Sequence, residues 1–291
     1  MDHRALPCRS MLYIPGSRDR ALEKARTLPV DAIIFDLEDA VAIGEKPAAR
    51  HRLATQLAKG GYGPRAQIVR VNGPDTPWGA ADLETMAHAR PQAILLPKVN
   101  SAKDIEALAR HLDQRTETAE TAIWAMMETP RGILNAAGIA AAPRMAGLVM
   151  GTNDLAKDLN CNGCPDRLPL LTALQTCLLA ARSHGLICVD GVYNAFRDQD
   201  GLVRECTQGR DMGFDGKTLI HPAQITTANA VFAPSEEEIN LARRRIAAFD
   251  RATAQGQGVA VLDGRIVENL HVETARATLA KATAIRMLEQ T

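Results

Sequence analysis

The stretch Ile123–Gly132, IWAMMETPRG, sets five apolar residues directly before a carboxylate, and a proline and a glycine follow shortly after. The unbroken apolar run from Ile123 to Met127 predicts a strand that is covered on both faces. The run ends at Glu128, and the first basic residue after it is Arg131. Glu128 is therefore either a solvated loop residue or a carboxylate directed at a positive charge that this segment does not supply.

Short apolar or β-branched runs of this kind occur eight times, and helical segments follow several of them. Eight alternations predict an α/β fold, a closed (β/α)8 TIM barrel with helices outside, since an open doubly wound sheet normally has fewer strands. Pro15-Gly16-Ser17 is too short for a dinucleotide-binding loop. The predicted strands are Met11–Ile14, Ala32–Phe35, Gln67–Val71, Ala93–Leu96, Ala122–Met127, Ala146–Met150, Leu186–Val189 and Lys217–Ile220. The predicted helices are Arg18–Thr27, Lys46–Leu57, Ser101–Asp113, Leu168–Ser183 and Leu202–Met212.

The pattern changes near Phe232, so we expect a barrel domain over residues 1–232 and a C-terminal extension over 233–291. Ser235 and Glu238 have the spacing of a capping box, and Asp263-Gly264 is a strong hairpin signal. The extension is more than a barrel needs, and we interpret it as a lid or an oligomer contact. Its predicted elements are a helix from Ser235 to about Ala254, strands Val259–Leu262 and Arg265–Val267, and a helix from about Val272 to Glu289.

The composition argues against several classes of protein. The chain has 34 basic and 34 acidic residues, so its formal net charge of zero provides no general attraction to nucleic acid or to an anionic membrane. No apolar run is long enough for a transmembrane helix, and the N-terminus lacks the apolar core of a secretory signal, which predicts a cytoplasmic location. Cys161-Asn-Gly-Cys164 has the spacing of half a zinc site, but no second pair accompanies it. The cysteines are expected to be reduced thiols.

Two acidic residues follow neighbouring predicted strands, at the end of the barrel where TIM-barrel chemistry occurs. Asp154 comes 26 residues after Glu128, about one strand-helix unit, so both side chains are expected to face one space. Two adjacent carboxylates repel each other unless a cation joins them. Magnesium binds carboxylate oxygens while it keeps part of its water shell, and it is the cation predicted here. Each residue could instead cap a nearby helix.

Basic residues also follow the predicted strands. Arg70 ends the run QIVRV, where an unpaired arginine would be unusual. It either binds a ligand or pairs with Glu38 or Asp39 at the rim, and Lys98 has the same two interpretations. Asp190 and His221 also follow strands, and both are interpreted as hydrogen-bonded rim residues rather than catalysts.

Six segments coincide with predicted strand ends: Arg9–Ser17, Phe35–Val41, Val69–Asn72, Leu96–Lys98, Met127–Gly132 and Gly151–Leu155. In this order they resemble the citrate lyase beta-chain family, which includes malyl-CoA and citramalyl-CoA lyases of the HpcH/HpaI aldolase superfamily. The resemblance continues through Gly213–Pro222 and covers nearly the whole chain. No single segment is decisive, but six in register with the strand ends form a specific signal.

The resemblance implies a magnesium-dependent lyase that reversibly cleaves a 3-hydroxyacyl-CoA of the malyl-, methylmalyl- or citramalyl-CoA type into an acyl-CoA and a 2-oxo acid. It assigns the metal ligands to Glu128 and Asp154 and the binding of the oxo acid to Arg70. It also implies that Glu38 and Asp39 support the waters on the metal. Three alternatives stay open: a thioesterase acting on the same esters, an aldolase acting on free acids, and a beta subunit within a larger complex.

The resemblance further implies that Ser17 and Arg18 approach the phosphates of coenzyme A. Lys98 is predicted as a further substrate contact from its position after the fourth strand. It implies a homotrimer or homohexamer in which the C-terminal segment reaches over a neighbouring site. Several family members carry an aspartate acid/base after the C-terminal hairpin, and Glu268 occupies that place here. Glutamate has the same titrating group on a longer arm, so it can transfer a proton only if the backbone is displaced.

Overall fold

The computed structural model describes residues 7–162 and 164–290, and its larger unit is a closed barrel of eight parallel strands in the order β1 to β8. The predicted TIM barrel is thereby confirmed. Each predicted run overlaps one of the strands, with shifts of one residue at some ends. The strands are β1 Ser10–Pro15, β2 Ala32–Asp36, β3 Ala66–Arg70, β4 Ala93–Leu96, β5 Ala122–Met127, β6 Met145–Met150, β7 Ile187–Asp190 and β8 Gly216–Leu219.

Parallel pairing brings the carboxyl ends of the strands to one end of the barrel. Strands β2 and β5 are buried along their whole length, as expected for strands with helices on one side and the barrel core on the other. Asp36, the last residue of β2, lies opposite Arg70, the last residue of β3. Met127 of β5 lies opposite Met150 of β6, so the residues that follow these two strands are also neighbours.

The helices include several that the sequence did not predict. Helix α3 follows a loop rich in glycine and proline, and α5, α6, α7 and α10 have only five to eight residues, too few for a clear helical period. The predicted helix from Leu168 begins as a short 3-10 turn and becomes α-helical at Leu171. The helices of this unit are α1 Asp19–Ala25, α2 Lys46–Lys59, α3 Gly79–Ala89, α4 Ala102–Asp113, α5 Pro130–Leu134, α6 Ala136–Ala140, α7 Thr152–Asp158, α8 Leu171–Ser183, α9 Gln199–Met212 and α10 Ile225–Phe232.

A second compact unit begins at Ala233, and the barrel unit is Cys8–Phe232. Its first helix has the predicted capping box: the Ser235 hydroxyl accepts from the Glu238 N–H at 3.1 Å, and the Glu238 carboxylate accepts from the Ser235 N–H at 2.7 Å. Asp263 and Gly264 both have positive φ, as a two-residue hairpin turn requires. The elements are α11 Glu236–Ala254, β9 Ala260–Leu262, β10 Arg265–Val267 and α12 Asn269–Glu289, so the last helix starts before the predicted Val272.

Two observations bear on the classes considered from composition. Within the described residues, no helix has both the length and the apolar character needed to cross a bilayer. Cys161 and Cys164 are free thiols at partly buried positions. Among residues 7–162 and 164–290, no His, Asp, Glu or further Cys joins this pair in a group that could hold a metal ion.

A buried ion cluster joins the ends of β7 and β8 to α9. Asp190 is fully buried, and Nη1 of Arg167 lies 2.7 Å from one of its oxygens while Nζ of Lys217 lies 3.0 Å from the other. Glu205 of α9 accepts a second bond from Lys217 at 2.7 Å. Burial alone would raise the pKa of Asp190, but the charges of Lys217 and Arg167 outweigh burial and hold it below its ordinary value. Asp190 is a structural ion-pair partner, in line with its interpretation as a non-catalytic residue.

We expect Asp190→Asn to lower the free energy of unfolding at pH 7 by about 3–5 kcal/mol, because two buried cations lose their shared anion. The ion pairs of Asp190 stabilise the wild type above the ordinary pKa near 3.8, and this contribution is lost as the pH falls through the lower pKa of the folded state. The variant lacks the contribution, so its melting temperature should change less with pH below this value. Thermal unfolding at a series of pH values measures both effects.

The exposed Asp211 on α9, the helix that carries Glu205, is the matched control. We expect Asp211→Asn to change the free energy of unfolding by no more than about 0.5 kcal/mol. If Asp190→Asn has the same free energy of unfolding as the wild type at pH 7, the buried ion cluster does not stabilise the fold.

Candidate active site

A cavity of about 300 Å³ opens at the carboxyl end of the barrel. Its walls come from the ends of β1, β2, β3, β5 and β6 and from the loops that follow β6, β7 and β8. Two methionines and a tyrosine provide apolar wall, and charged side chains surround them. The charged residues that line it are Asp36, Asp39, Arg70, Glu128 and Asp154.

Glu128 is 1% exposed, and a positive charge lies beside it. Its Oε1 accepts a hydrogen bond from the backbone N–H of Lys98 at 2.8 Å. The ammonium of Lys98 lies 3.5 Å from Oε2 of Glu128 and 2.8 Å from Oδ1 of Asp154. The two carboxylates therefore face one position, which the ammonium occupies. Burial raises the pKa of Glu128 to about 7, and the charge and N–H of Lys98 limit the rise.

Neither carboxylate caps a helix. Thr129 is the N-cap of α5, and its hydroxyl accepts from the Gly132 N–H at 3.0 Å. Helix α7 begins at Thr152, so Asp154 lies inside its first turn and is not the capping residue. Gly151 permits this arrangement, because a Cβ at position 151 would overlap the side chain of Glu128. The capping interpretation is wrong for Glu128, whereas Asp154 is an acidic residue in the first turn of α7 without being its N-cap.

Arg70 is held by a carboxylate that the sequence did not single out. Asp36 accepts from Nε of Arg70 at 2.7 Å and from Nη2 at 2.6 Å. The same carboxylate accepts from the backbone N–H groups of Glu38 at 2.9 Å and Ala40 at 3.0 Å. Burial lowers the pKa of Arg70, but the charge and hydrogen bonds of Asp36, together with Tyr13 and Glu38, outweigh burial and raise it well above its ordinary value. Arg70 is a permanent, fixed cation at the wall of the cavity.

The remaining terminal nitrogen of Arg70 faces Glu38 and Asp39, the two partners that the sequence suggested. Nη1 lies 2.9 Å from Oε2 of Glu38 and 3.4 Å from Oδ2 of Asp39. The contact with Glu38 has the distance of an ion pair but not the direction of a hydrogen bond, so this buried oxygen has no hydrogen-bond partner. Burial raises the pKa of Glu38 to about 8 in spite of Arg70. The Asp39 side chain is 64% exposed and lines the cavity.

A buried lysine supports the loop that presents these groups. Nζ of Lys46 donates to the carbonyl oxygens of Leu37 at 3.2 Å and Glu38 at 2.8 Å, and to Oδ1 of Asn72 at 2.7 Å. Asn72 in turn donates to Asp82 of α3 at 2.6 Å. These bonds tie the loop after β2 to the segment after β3, so they fix Asp36 and Arg70 relative to each other. The sequence indicated Lys46 only as the start of a helix.

The other predicted site residues are not among those that line the cavity. Ser17 and Arg18 are in the loop after β1, where the Ser17 carbonyl accepts from Arg52 at 3.1 Å and Arg18 is exposed. Glu268 belongs to the second unit, is exposed, and precedes α12, and its N–H donates to the His271 ring at 3.0 Å. Its predicted role in proton transfer stays a prediction.

The donor set of the cavity fits a hard divalent cation. Within residues 7–162 and 164–290, no group of three or more His, Cys, Asp or Glu side chains is arranged to hold a metal ion. Glu128 and Asp154 instead provide two carboxylates around a position where a cationic group already lies. Magnesium is commonly bound through one or two carboxylates and keeps several waters, so it suits this set.

The sequence matches the family model described as HpcH/HpaI aldolase/citrate lyase over residues 9–222. The chain belongs to this family. A second model, described as a carbon–carbon bond lyase of the TIM-barrel fold, matches residues 169–285. The resemblance seen in the sequence is confirmed, and the family model spans every strand end that lines the cavity.

Relatives within the family carry two different names. A protein of Cereibacter sphaeroides named (3S)-malyl-CoA thioesterase is 64% identical over 285 residues, which cover 98% of each chain. Citrate lyase subunit beta of Leuconostoc mesenteroides subsp. cremoris is 35% identical over 287 residues, which cover 97% of this chain and 95% of that one. The protein CitE of Mycobacterium tuberculosis, solved with magnesium, acetoacetate and coenzyme A, is 30% identical with a TM-score of 0.78, and the match covers 96% and 99% of the two chains.

We expect Asp36→Asn to lower the free energy of unfolding by about 3–5 kcal/mol, because it leaves the buried guanidinium of Arg70 without its main counterion. Asp39 touches the same guanidinium but is 64% exposed, so Asp39→Asn should cost less than about 1 kcal/mol. Chemical denaturation of the two variants beside the wild type measures the difference. An equal loss of unfolding free energy in both variants would show that Asp36 is not the main counterion of Arg70.

Proposed function

We propose that this protein is a magnesium-dependent hydrolase of 3-hydroxyacyl-CoA thioesters of the malyl-CoA type, with a hydroxy acid and free coenzyme A as products. The observation that carries the proposal is the 64% identity, over 98% of both chains, to a relative named (3S)-malyl-CoA thioesterase. The resemblance seen in the sequence favours carbon–carbon cleavage and keeps hydrolysis as an alternative. The relative's name reverses that preference.

Arg70 suits the acid end of such a substrate. Its guanidinium is charged at all relevant pH values and is oriented by two bonds to Asp36 before any ligand arrives. A planar guanidinium binds carboxylates through paired donors, and a fixed one loses little freedom when it does so. The Nη1 side, which faces Asp39 at the cavity wall, is the side from which a substrate carboxylate can approach.

Glu128 and Asp154 are the residues that would hold magnesium. Bound there, magnesium supplies a Lewis acid that polarises the substrate oxygens it touches. The Lys98 side chain is 41% exposed, so its ammonium can leave the carboxylate pair for solvent or for the substrate without losing a buried position. The Lys98 ammonium therefore suits two roles. It occupies the cation position when no metal is bound, and it is the predicted contact of the substrate.

Hydrolysis needs a group that takes a proton from the attacking water. The Asp39 carboxylate fits this task, because it lines the cavity and is largely exposed. Glu38 has its pKa raised to about 8 and is buried beside Arg70, which suits a supporting role better than that of a base at neutral pH. Ser17 and Arg18 remain the proposed contacts of the coenzyme A phosphates.

Carbon–carbon cleavage is the second candidate. The family model and the 35% identical citrate lyase subunit beta favour it. In that reaction the same carboxylate pair and Arg70 would hold the hydroxy acid, and Glu268 of a neighbouring subunit would return a proton to the thioester carbon. Glu268 lies in the second unit, the C-terminal segment that is expected to reach over the site of a neighbouring subunit. The predicted homotrimer or homohexamer is therefore part of this second candidate.

Product analysis separates the candidates. The purified chain is incubated with magnesium and (3S)-malyl-CoA, and thiol, malate, glyoxylate and acetyl-CoA are measured together. Hydrolysis gives malate and free thiol in equal amounts, whereas cleavage gives glyoxylate and acetyl-CoA without thiol. Acetyl-CoA and glyoxylate without malate would contradict the hydrolase, and activity on the free acid would favour an aldolase. An inactive chain that gains activity only with other subunits would favour a beta subunit.

We expect EDTA to abolish thiol release and magnesium to restore it. Glu128→Gln keeps the shape of the side chain but removes the charge that holds the cation, so kcat should fall by at least about 10²-fold. Glu106→Gln on the outer face of α4 is the control and should keep wild-type activity. A wild-type kcat for Glu128→Gln, or thiol release that EDTA does not reduce, would contradict the proposed site.

A further inference from the structure

One polar group of the cavity has no assigned task. The side chain of Tyr13, on β1, lines the cavity, and the guanidinium carbon of Arg70 lies 4.8 Å from the centre of its ring. No group within the described residues hydrogen-bonds to its hydroxyl. The carboxylate of Asp36 accepts from Arg70, Glu38 and Ala40, and Glu128 accepts from Lys98. The phenol hydroxyl is thus free to donate a hydrogen bond to a ligand, whereas the Asp36 and Glu128 carboxylates already accept hydrogen bonds from the protein.

Tyr13 lies on the side of the barrel opposite the carboxylate pair. In the closed order β1 to β8, strand β1 is four strands away from β5, which ends at Glu128. In the proposed function the hydroxyl and carboxylate of the substrate would be held between Arg70 and the magnesium on Glu128 and Asp154. The phosphates of coenzyme A are proposed to lie near Ser17 and Arg18, in the loop that directly follows β1. The thioester joins these two ends, so it passes the wall that Tyr13 forms.

The thioester oxygen needs a neutral donor. In hydrolysis the water oxygen bonds to the carbonyl carbon, and the carbonyl oxygen takes up negative charge. The carbon–sulfur bond then breaks, and sulfur leaves with the electron pair and receives the proton that the water has lost. Carboxylates near that oxygen would repel its charge, whereas a hydroxyl directed at it would stabilise the transition state. Burial raises the pKa of Tyr13 above its ordinary value, so the phenol keeps its proton throughout.

We propose that the Tyr13 hydroxyl donates a hydrogen bond to the thioester carbonyl oxygen and stabilises the negative charge that develops on it. The inference rests on the proposed function, but it holds for either reaction of the thioester. In carbon–carbon cleavage the same oxygen carries the charge of the enolate. Tyr13 keeps its own proton, so it acts as a catalytic donor and not as an acid.

The variant Tyr13→Phe tests this, because it keeps the ring beneath Arg70 and removes only the hydroxyl. We expect kcat for (3S)-malyl-CoA to fall by about 10²-fold, as for the loss of one oxyanion donor. A thioether analogue in which a methylene replaces the carbonyl should bind wild type and variant with the same affinity, within about two-fold, because it lacks the oxygen that Tyr13 contacts. An unchanged melting temperature shows that the fold is retained.

Tyr193→Phe is the matched control. It removes the same hydroxyl from a residue outside the cavity lining, where the group bonds to Asp198 at 2.7 Å, and activity should stay at the wild-type level. A fall of less than about three-fold in kcat for Tyr13→Phe overturns the inference while the wild type remains active. Weaker binding of the thioether in parallel with lost turnover also overturns it, since the hydroxyl would then act on a part of the substrate other than the thioester oxygen. A wild type that binds the thioether but converts no malyl-CoA overturns the proposed function itself.

Discussion

The carboxylate of Glu128 is buried at the end of a strand, and burying a charge is unfavourable unless an opposite charge lies beside it. The end of the barrel is arranged around this requirement. A backbone N–H bonds to one oxygen of Glu128, Gly151 leaves space for its side chain, and Lys98 holds an ammonium between Glu128 and Asp154. The site therefore needs a cation at a defined position, and a divalent ion meets the need more fully than an exposed lysine can.

The two sides of the cavity differ in how their charges are compensated. On one side Asp36 and Arg70 form a buried pair with two short hydrogen bonds, and Lys46 holds the loop behind them. This side is rigid and presents a permanent cation to an acid group. On the other side Glu128 and Asp154 share the ammonium of Lys98 as counterion, and the Lys98 side chain is 41% exposed. That side can exchange its cation. A hydroxy acid with adjacent carboxylate and hydroxyl oxygens suits both sides together.

The fold and the charged strand ends could be predicted from local patterns, because apolar runs and their terminal residues lie within short windows of sequence. The support of Arg70 could not. Asp36 and Arg70 are adjacent only through strand register, and Lys46 meets Asn72 across two loops. Asp36 directly follows the apolar run AIIF at the end of β2. Aligning the ends of the second and third predicted strands would have placed it beside Arg70. Hydrolysis and carbon–carbon cleavage use the same acids and the same arginine, so residue types alone could not separate them.

The shared cation is tested most directly by crystals soaked with manganese, which scatters anomalously where magnesium does not. The account predicts one anomalous peak in direct coordination with a carboxylate oxygen of Glu128 and one of Asp154, with the Lys98 ammonium displaced from between them. A peak bound to neither residue, or a Lys98 ammonium that keeps both contacts at saturating manganese, would contradict it.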